Sequence, residues 1–369
     1  MKVNTISLNS VRLNTIALNH IGEIRSGGGG SKPSPIPQWI REHIVFYYDV
    51  KKQGATNETL KESAYLQDLS GKGRRMKLNN FLFAEMSGVG GYNDNFSNWR
   101  TDSNNGVVKI ESDSSIVIQS VKIEYRGVLY QDSAKKATLK CNITGITEEL
   151  KGKLIFRYTD AEGSKNITLE NGYFEFNSSE YEGLSGWYGF TSKQPIDNCN
   201  ITITQIPEYP GALVTDGVDD YGLVENLSSG VKMLFMTVNP IENFNTFKNY
   251  YSQMRNAANQ PFCVYSTSAG IAYNYSNPNG ITYIDGVLNE SIGCTKLWGL
   301  KHTITIVNDT VNPTNSGQPA FFSREEWRKG YYSKIAFYNS IAFDSIPTEA
   351  DGFTEQELID YVLTNIIGQ

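Results

Sequence analysis

Three stretches of this 369-residue chain hold side chains whose types and spacing suit chemistry at a surface. Glu180–Phe190, EYEGLSGWYGF, crowds Trp187, Tyr188 and Phe190 onto a glycine-rich segment. Sugar rings present apolar faces that stack on aromatic rings, while Asn and Asp exchange hydrogen bonds with hydroxyls. The three rings are therefore candidates for carbohydrate binding, with a Trp/Tyr core strand as the competing reading. Ala272–Asn279, AYNYSNPN, brings Tyr273, Asn274 and Tyr275 together in a loop with the same two readings. Asp219 and Asp220, within DGVDDY, are candidate calcium ligands. A turn role competes there, because calcium takes about six to eight oxygens and few are local.

Catalysis is harder to place. Retaining glycoside cleavage needs two carboxyl groups about 5–5.5 Å apart. On one strand face they would read E-x-D-x-E or E-x-D-x-x-E, and no such run exists. The acidic clusters Asp216–Asp220 and Glu180–Glu182 lack that spacing. His20, His43 and His302 are scattered without a nucleophile beside them, and GVGGY (Gly88–Tyr92) is a turn, not a phosphate loop. Cys141, Cys199, Cys263 and Cys294 lack the CxxC spacing of a zinc site and read as free thiols sooner than as two bridges. No enzymatic activity is expected, and calcium is the one cofactor to be considered.

The elements that must position these residues are strands. Short alternating runs, among them SIVIQSVKIEYRGVLY (Ser115–Tyr130), ATLKCNITGI (Ala137–Ile146), KLIFRYTD (Lys153–Asp160), ITITQI (Ile201–Ile206), KMLFMTV (Lys232–Val238) and HTITIV (His302–Val307), are separated by turn residues at the intervals of a sandwich. The chain is all-β. One helix is predicted near the end, where Thr354 and Glu357 form a capping box before Leu358–Leu363, and it is expected to close the open end of a sandwich. A net charge of −6 without a basic stripe disfavours nucleic acid. No apolar run is long enough to span a bilayer, and no Sec-type signal is visible.

The first residues repeat a phrase, Asn-x-[Ile/Val]-x-Leu, as NTISL, NSVRL and NTIAL. Ile6/Leu8, Val11/Leu13 and Ile16/Leu18 each sit two residues apart, which places a pair on one strand face. Strands this short cannot bury that face alone, so the missing surface must come from another chain. SGGGGSKPSPIP (Ser26–Pro37) then supplies a flexible tract and a stiffer one. Anchor, tether and large body make an attachment layout.

At ALVTDGVDDYGLVE (Ala212–Glu225) the sequence resembles the laminin-G-like, concanavalin-A-like lectin/glucanase family, where such a segment is an edge strand. LQDLSGKGRRMKLNNF (Leu66–Phe81) and GYYSKIAFYNSIAFDSIPTEADGFTEQELIDYV (Gly330–Val362) are similar to the family's preceding segment and its ending. The resemblance implies a concanavalin-A-like jelly-roll sandwich, split over residues 38–86 and 208–369. Residues 87–207 are then an inserted β-sandwich similar to carbohydrate-binding modules, residues 1–25 an anchor and 26–37 a tether. The whole chain also resembles virion-associated proteins of crAss-like Bacteroides phages. That likeness implies a phage head or tail fibre or decoration, made in the host cytoplasm and located in the virion. Its implied partners are other virion proteins (capsid or tail) held through the repeat, a host-surface glycan, and further copies of the chain in a homo-oligomer. The alternative is a glycan-binding or glycan-degrading surface protein of a Bacteroidetes cell, disfavoured by the missing export signal.

Overall fold

A computed structural model describes residues 34–227, 230–242, 281–289, 299–307, 320–322 and 332–368, and residues 250–255, 261–266 and 272–274 by their backbone. The repeat, with Ile6, Leu8, Val11, Leu13, Ile16 and Leu18, lies outside the described residues. The chain is built of antiparallel sheets with few helices and divides into two compact units. The first holds residues up to Phe83, Ser87–Val89 and those from Gly211 onward; the second holds Ala84–Met86 and Gly90–Pro210.

The first unit is a sandwich. Its eight-stranded sheet centres on Ile335–Phe343, which pairs with Met233–Pro240 on one side. On the other side it takes Ile44–Asp49 and, further along, Leu213–Val214. The facing seven-stranded sheet includes Met76–Asn79, Tyr221–Val224 and Ala320–Phe321. Alternation sorts the side chains: Leu234, Met236, Val238, Ile304 and Ile306 point into the sandwich against Met76, Leu78, Val224 and Phe321. The intervening Met233, Phe235, Ile341 and Phe343 point the other way.

That outer face needs cover, and helices provide it. Trp39 and Ile40 of the helix Ile36–His43 pack there, as do Leu358, Ile359 and Val362 near the C-terminus. The C-terminal helix thus lies over the back of a sheet instead of closing the sandwich end as expected, because both faces of that sheet are apolar.

DGVDDY also differs from its expected edge position. Tyr221–Val224 is an interior strand between Met76–Asn79 and Ala320–Phe321. It pairs in register with the end of the SGKG segment, Tyr221 opposite Asn79 and Val224 opposite Met76. Asp68 shapes the turn before that strand. Its carboxylate accepts the backbone N–H groups of Tyr47 (3.0 Å), Ser70 (2.9 Å) and Arg74 (3.0 Å).

The second unit is a smaller sandwich of two five-stranded sheets. One runs Gly163–Thr168, Leu154–Asp160, Trp187–Ser192, Leu129–Asp132, Arg100–Thr101. The other runs Gly172–Asn177, Thr138–Thr144, Ile201–Gln205, Ser115–Val121, Gly106–Ser112. Phe156, Phe174, Phe176, Tyr188 and Phe190 fill the core between them, together with Trp99, Leu139 and Ile203. Cys141 is buried there and Cys199 is half-buried, and both are free thiols. Burial pushes the Cys141 thiol up to about 12, so it is inert at neutral pH.

Candidate functional site

Strand pairing in the second unit aligns one row of residues across the outer face of its first sheet. Arg100 lies opposite Tyr130, Tyr130 opposite Gly189, Gly189 opposite Arg157, and Arg157 opposite Asn166. Directly opposed residues in antiparallel strands share a face, so all five point away from the core. A second row adds Asp132 opposite Trp187, and Thr159 opposite Ser164. Tyr130 and Trp187 meet edge-on, with centroids 5.8 Å apart and planes at 62°.

Gly189 is what lets the rings lie low. A Cβ there would sit 2.6 Å from Tyr130 Cα and collide with the Leu129 carbonyl oxygen. A Cβ on Gly127 would likewise press on Tyr130 Cδ1 at 2.9 Å. Tyr130 is thus flanked by two glycines, Gly127 against its ring and Gly189 against its Cα and Cβ. At one end, Tyr125 is carried by a loop tied to the strand: its N–H donates to the Ser192 carbonyl (2.9 Å), and the Thr191 hydroxyl donates to the Arg126 carbonyl (2.6 Å). The Arg157 guanidinium lies 5.2 Å from the Tyr125 ring centre and donates to Asn166 Oδ1 at 3.3 Å. Half-buried rings with planar donors and an amide beside them offer both kinds of contact a sugar makes, an apolar ring face and directed hydrogen bonds.

The predicted residues divide. Trp187 is half-buried on this face. Tyr188 and Phe190 have no exposed surface and belong to the core, which removes them from the carbohydrate candidates. Tyr188 packs 5.7 Å from Trp99, and its hydroxyl donates to the Lys135 carbonyl at 3.0 Å. Burial pushes its phenol above the ordinary range. Phe190 packs 5.1 Å from Phe156. The reason is the two-residue period of a strand: if Tyr188 faces the core, Trp187 faces out, and the neighbours cannot both touch a sugar. Tyr273 and Asn274 belong to the strand Ala272–Asn274, whose side chains lie outside the described residues, as does Tyr275 entirely.

Tyr130, Tyr125, Arg157 and Asn166 do not stand out in the sequence. Each sits in a run that reads as a strand or its turn, but only pairing brings them together. The one local signal is glycine inside a strand pattern, at Gly189, which marks a close approach.

In the first unit, carboxylate oxygens of Asp216, Asp219 and Asp220 converge within 4.8 Å of one another. Asp220 accepts the Asp216 N–H (2.8 Å) and the Ser87 hydroxyl (3.0 Å). Asp216 accepts the Val218 N–H (2.7 Å) and the Asp219 N–H (3.3 Å). Two of the three carboxylates are therefore engaged by the chain's own donors, which is turn chemistry. No family model, curated protein or solved structure matches this chain.

Proposed function

We propose that this chain is a phage virion structural protein, a head or tail fibre or decoration, which binds host-surface polysaccharide through the outer face of the second unit's first sheet. The observation that carries the binding role is the Tyr130–Trp187 pair laid over Gly189, with Arg157 and Asn166 beside it. Rings whose faces remain partly open, on a sheet whose other face is a complete core, are available to a ligand. The virion setting is supported by the resemblance of the whole chain and by the repeat followed by a glycine tether. The role is adhesion without cleavage, in keeping with the missing strand-borne acid pair.

Two experiments on the full chain test this reading. Trp187→Ala should abolish retention on host-surface polysaccharide while leaving particle incorporation intact, and no reducing ends should be released by either form. Replacing Leu8, Leu13 and Leu18 together by Asp should leave a folded, glycan-binding protein that no longer joins particles. Undiminished retention of the Trp187 variant would refute the face, and normal incorporation of the triple variant would refute the anchor.

A further inference from the structure

The second unit carries cations of two kinds, those paired with a carboxylate and those, such as Lys122 on the Ser103 carbonyl, without one. Lys109, Lys140, Lys151 and Lys165 each pair with a glutamate, at 2.6, 2.7, 3.6 and 2.7 Å. Arg157 and Arg100, on either side of Tyr130 and Gly189, have no carboxylate partner among the described residues. Arg157 makes one bond to a neutral amide and lies beside a ring. Lys193, at the end of the Gly189 strand, reaches only the Thr168 hydroxyl at 3.1 Å. Against these three cations the two rows set Asp132, whose carboxylate already accepts the Ala134 N–H at 3.0 Å.

Arg100 and Arg157 are separated by three strand spacings, about 14 Å at ~4.8 Å each. That span exceeds one sugar ring, so the two guanidiniums address different residues of one polymer while its rings cross Tyr130 and Trp187. A guanidinium without a counter-ion, half-buried at Arg157 and exposed at Arg100, gains more from an anion than from a hydroxyl, because it binds an anion with paired parallel hydrogen bonds. General attraction of polyanions is disfavoured by the net charge of −6, so any such preference has to be local.

Building on the glycan-binding reading, we infer that the ligand of this face is an anionic polysaccharide, its carboxylate or sulfate groups received by Arg157 and Arg100 flanking the Tyr130–Trp187 platform. The experiment compares polymers that differ only in charge. Full-length protein is titrated by calorimetry with polygalacturonate against its methyl ester, and with dextran sulfate against dextran. At least one charged polymer should bind about tenfold tighter than its neutral counterpart, the worth of one charge-assisted hydrogen bond, and the margin should shrink with added salt. Whichever charged polymer binds identifies the anion as carboxylate or sulfate. The double variant Arg100→Gln, Arg157→Gln should bring the affinities for charged and neutral polymers level without changing the melting temperature. Trp187→Ala should lose both. Equal affinities in the wild type, or a preference that survives the double variant, would overturn the anionic assignment and leave the glycan-binding reading standing. No binding of any of the four polymers by the wild type would overturn both.

Discussion

Asp220 has no exposed surface, and burial lifts its carboxyl to about 7, with the neighbouring Asp216 and Asp219 adding to the effect. Asp49 and Asp94 are also raised by burial. A carboxyl whose folded pKa exceeds its unfolded value of ~4 keeps the folded chain more protonated than the unfolded one between those two values. Stability should therefore be fullest below pH ~4 as far as these groups are concerned, and fall as pH rises toward 7. Asp220→Asn can keep the bond to the Asp216 N–H and donate to the Ser87 hydroxyl, so its melting temperature should vary less across that window; an unchanged slope would assign the dependence to other groups. At the same scale, Tyr188→Ala should cost the second unit ~3–5 kcal/mol by denaturant titration, whereas Trp187→Ala should cost clearly less. The sequence shows both rings, but their opposite roles depend on which face of the strand meets a core, and that is settled by the partner sheet.

Elements were more legible than their neighbours. The runs at Ser115–Val121, Thr138–Thr144, Leu154–Asp160, Ile201–Gln205, Met233–Pro240 and His302–Val307 are strands, as their alternation predicts. The capping box is present: Glu357 accepts the Thr354 N–H at 2.7 Å, and Thr354 accepts the Glu357 N–H at 3.2 Å. The helix's place was not legible, because Leu358, Ile359 and Val362 advertise an apolar face without naming the surface that receives it. Thr354→Ala should cost ~1 kcal/mol, read as a drop in the denaturation midpoint of the first unit. Gly189→Ala is a sharper test of the binding face. Its Cβ would lie 2.6 Å from Tyr130 Cα and 2.7 Å from Tyr130 Cβ, so the strands must move apart. A loss of ~1–3 kcal/mol together with weakened glycan binding is expected, and unchanged values for both would show that the glycine is not needed there.

At the scale of the molecule, two separate cores predict two unfolding events. Scanning calorimetry should resolve two transitions, and Tyr188→Ala should lower only one of them; a single transition moving as a whole would mean that the units unfold together. Removing residues 1–33 should leave both transitions in place, because a glycine tract transmits no packing and the helix Ile36–His43 is kept whole. Which strands pair across long separations was the least legible layer, since Gly88–Val89 and Leu213–Val214 carry no mark of being partners. They nevertheless form a ladder, Gly88 opposite Val214 and Val89 opposite Leu213. After a short excursion at Ala84–Met86, the chain leaves for the second unit just after Val89 and comes back just before Leu213. A tug on the second unit, as from a surface to which it clings, reaches that ladder at one end, Val89 and Leu213 first. It is loaded in peel, not in shear, so its pairs open in succession instead of resisting together. Leu213–Val214 is gripped on its far side by Phe337 and Ala336, which leaves Gly88–Val89 as the strand that yields. Leu213 lies in the first unit's core and Val89 packs against it, so a load that peels this ladder is felt by that core from the first pair onward.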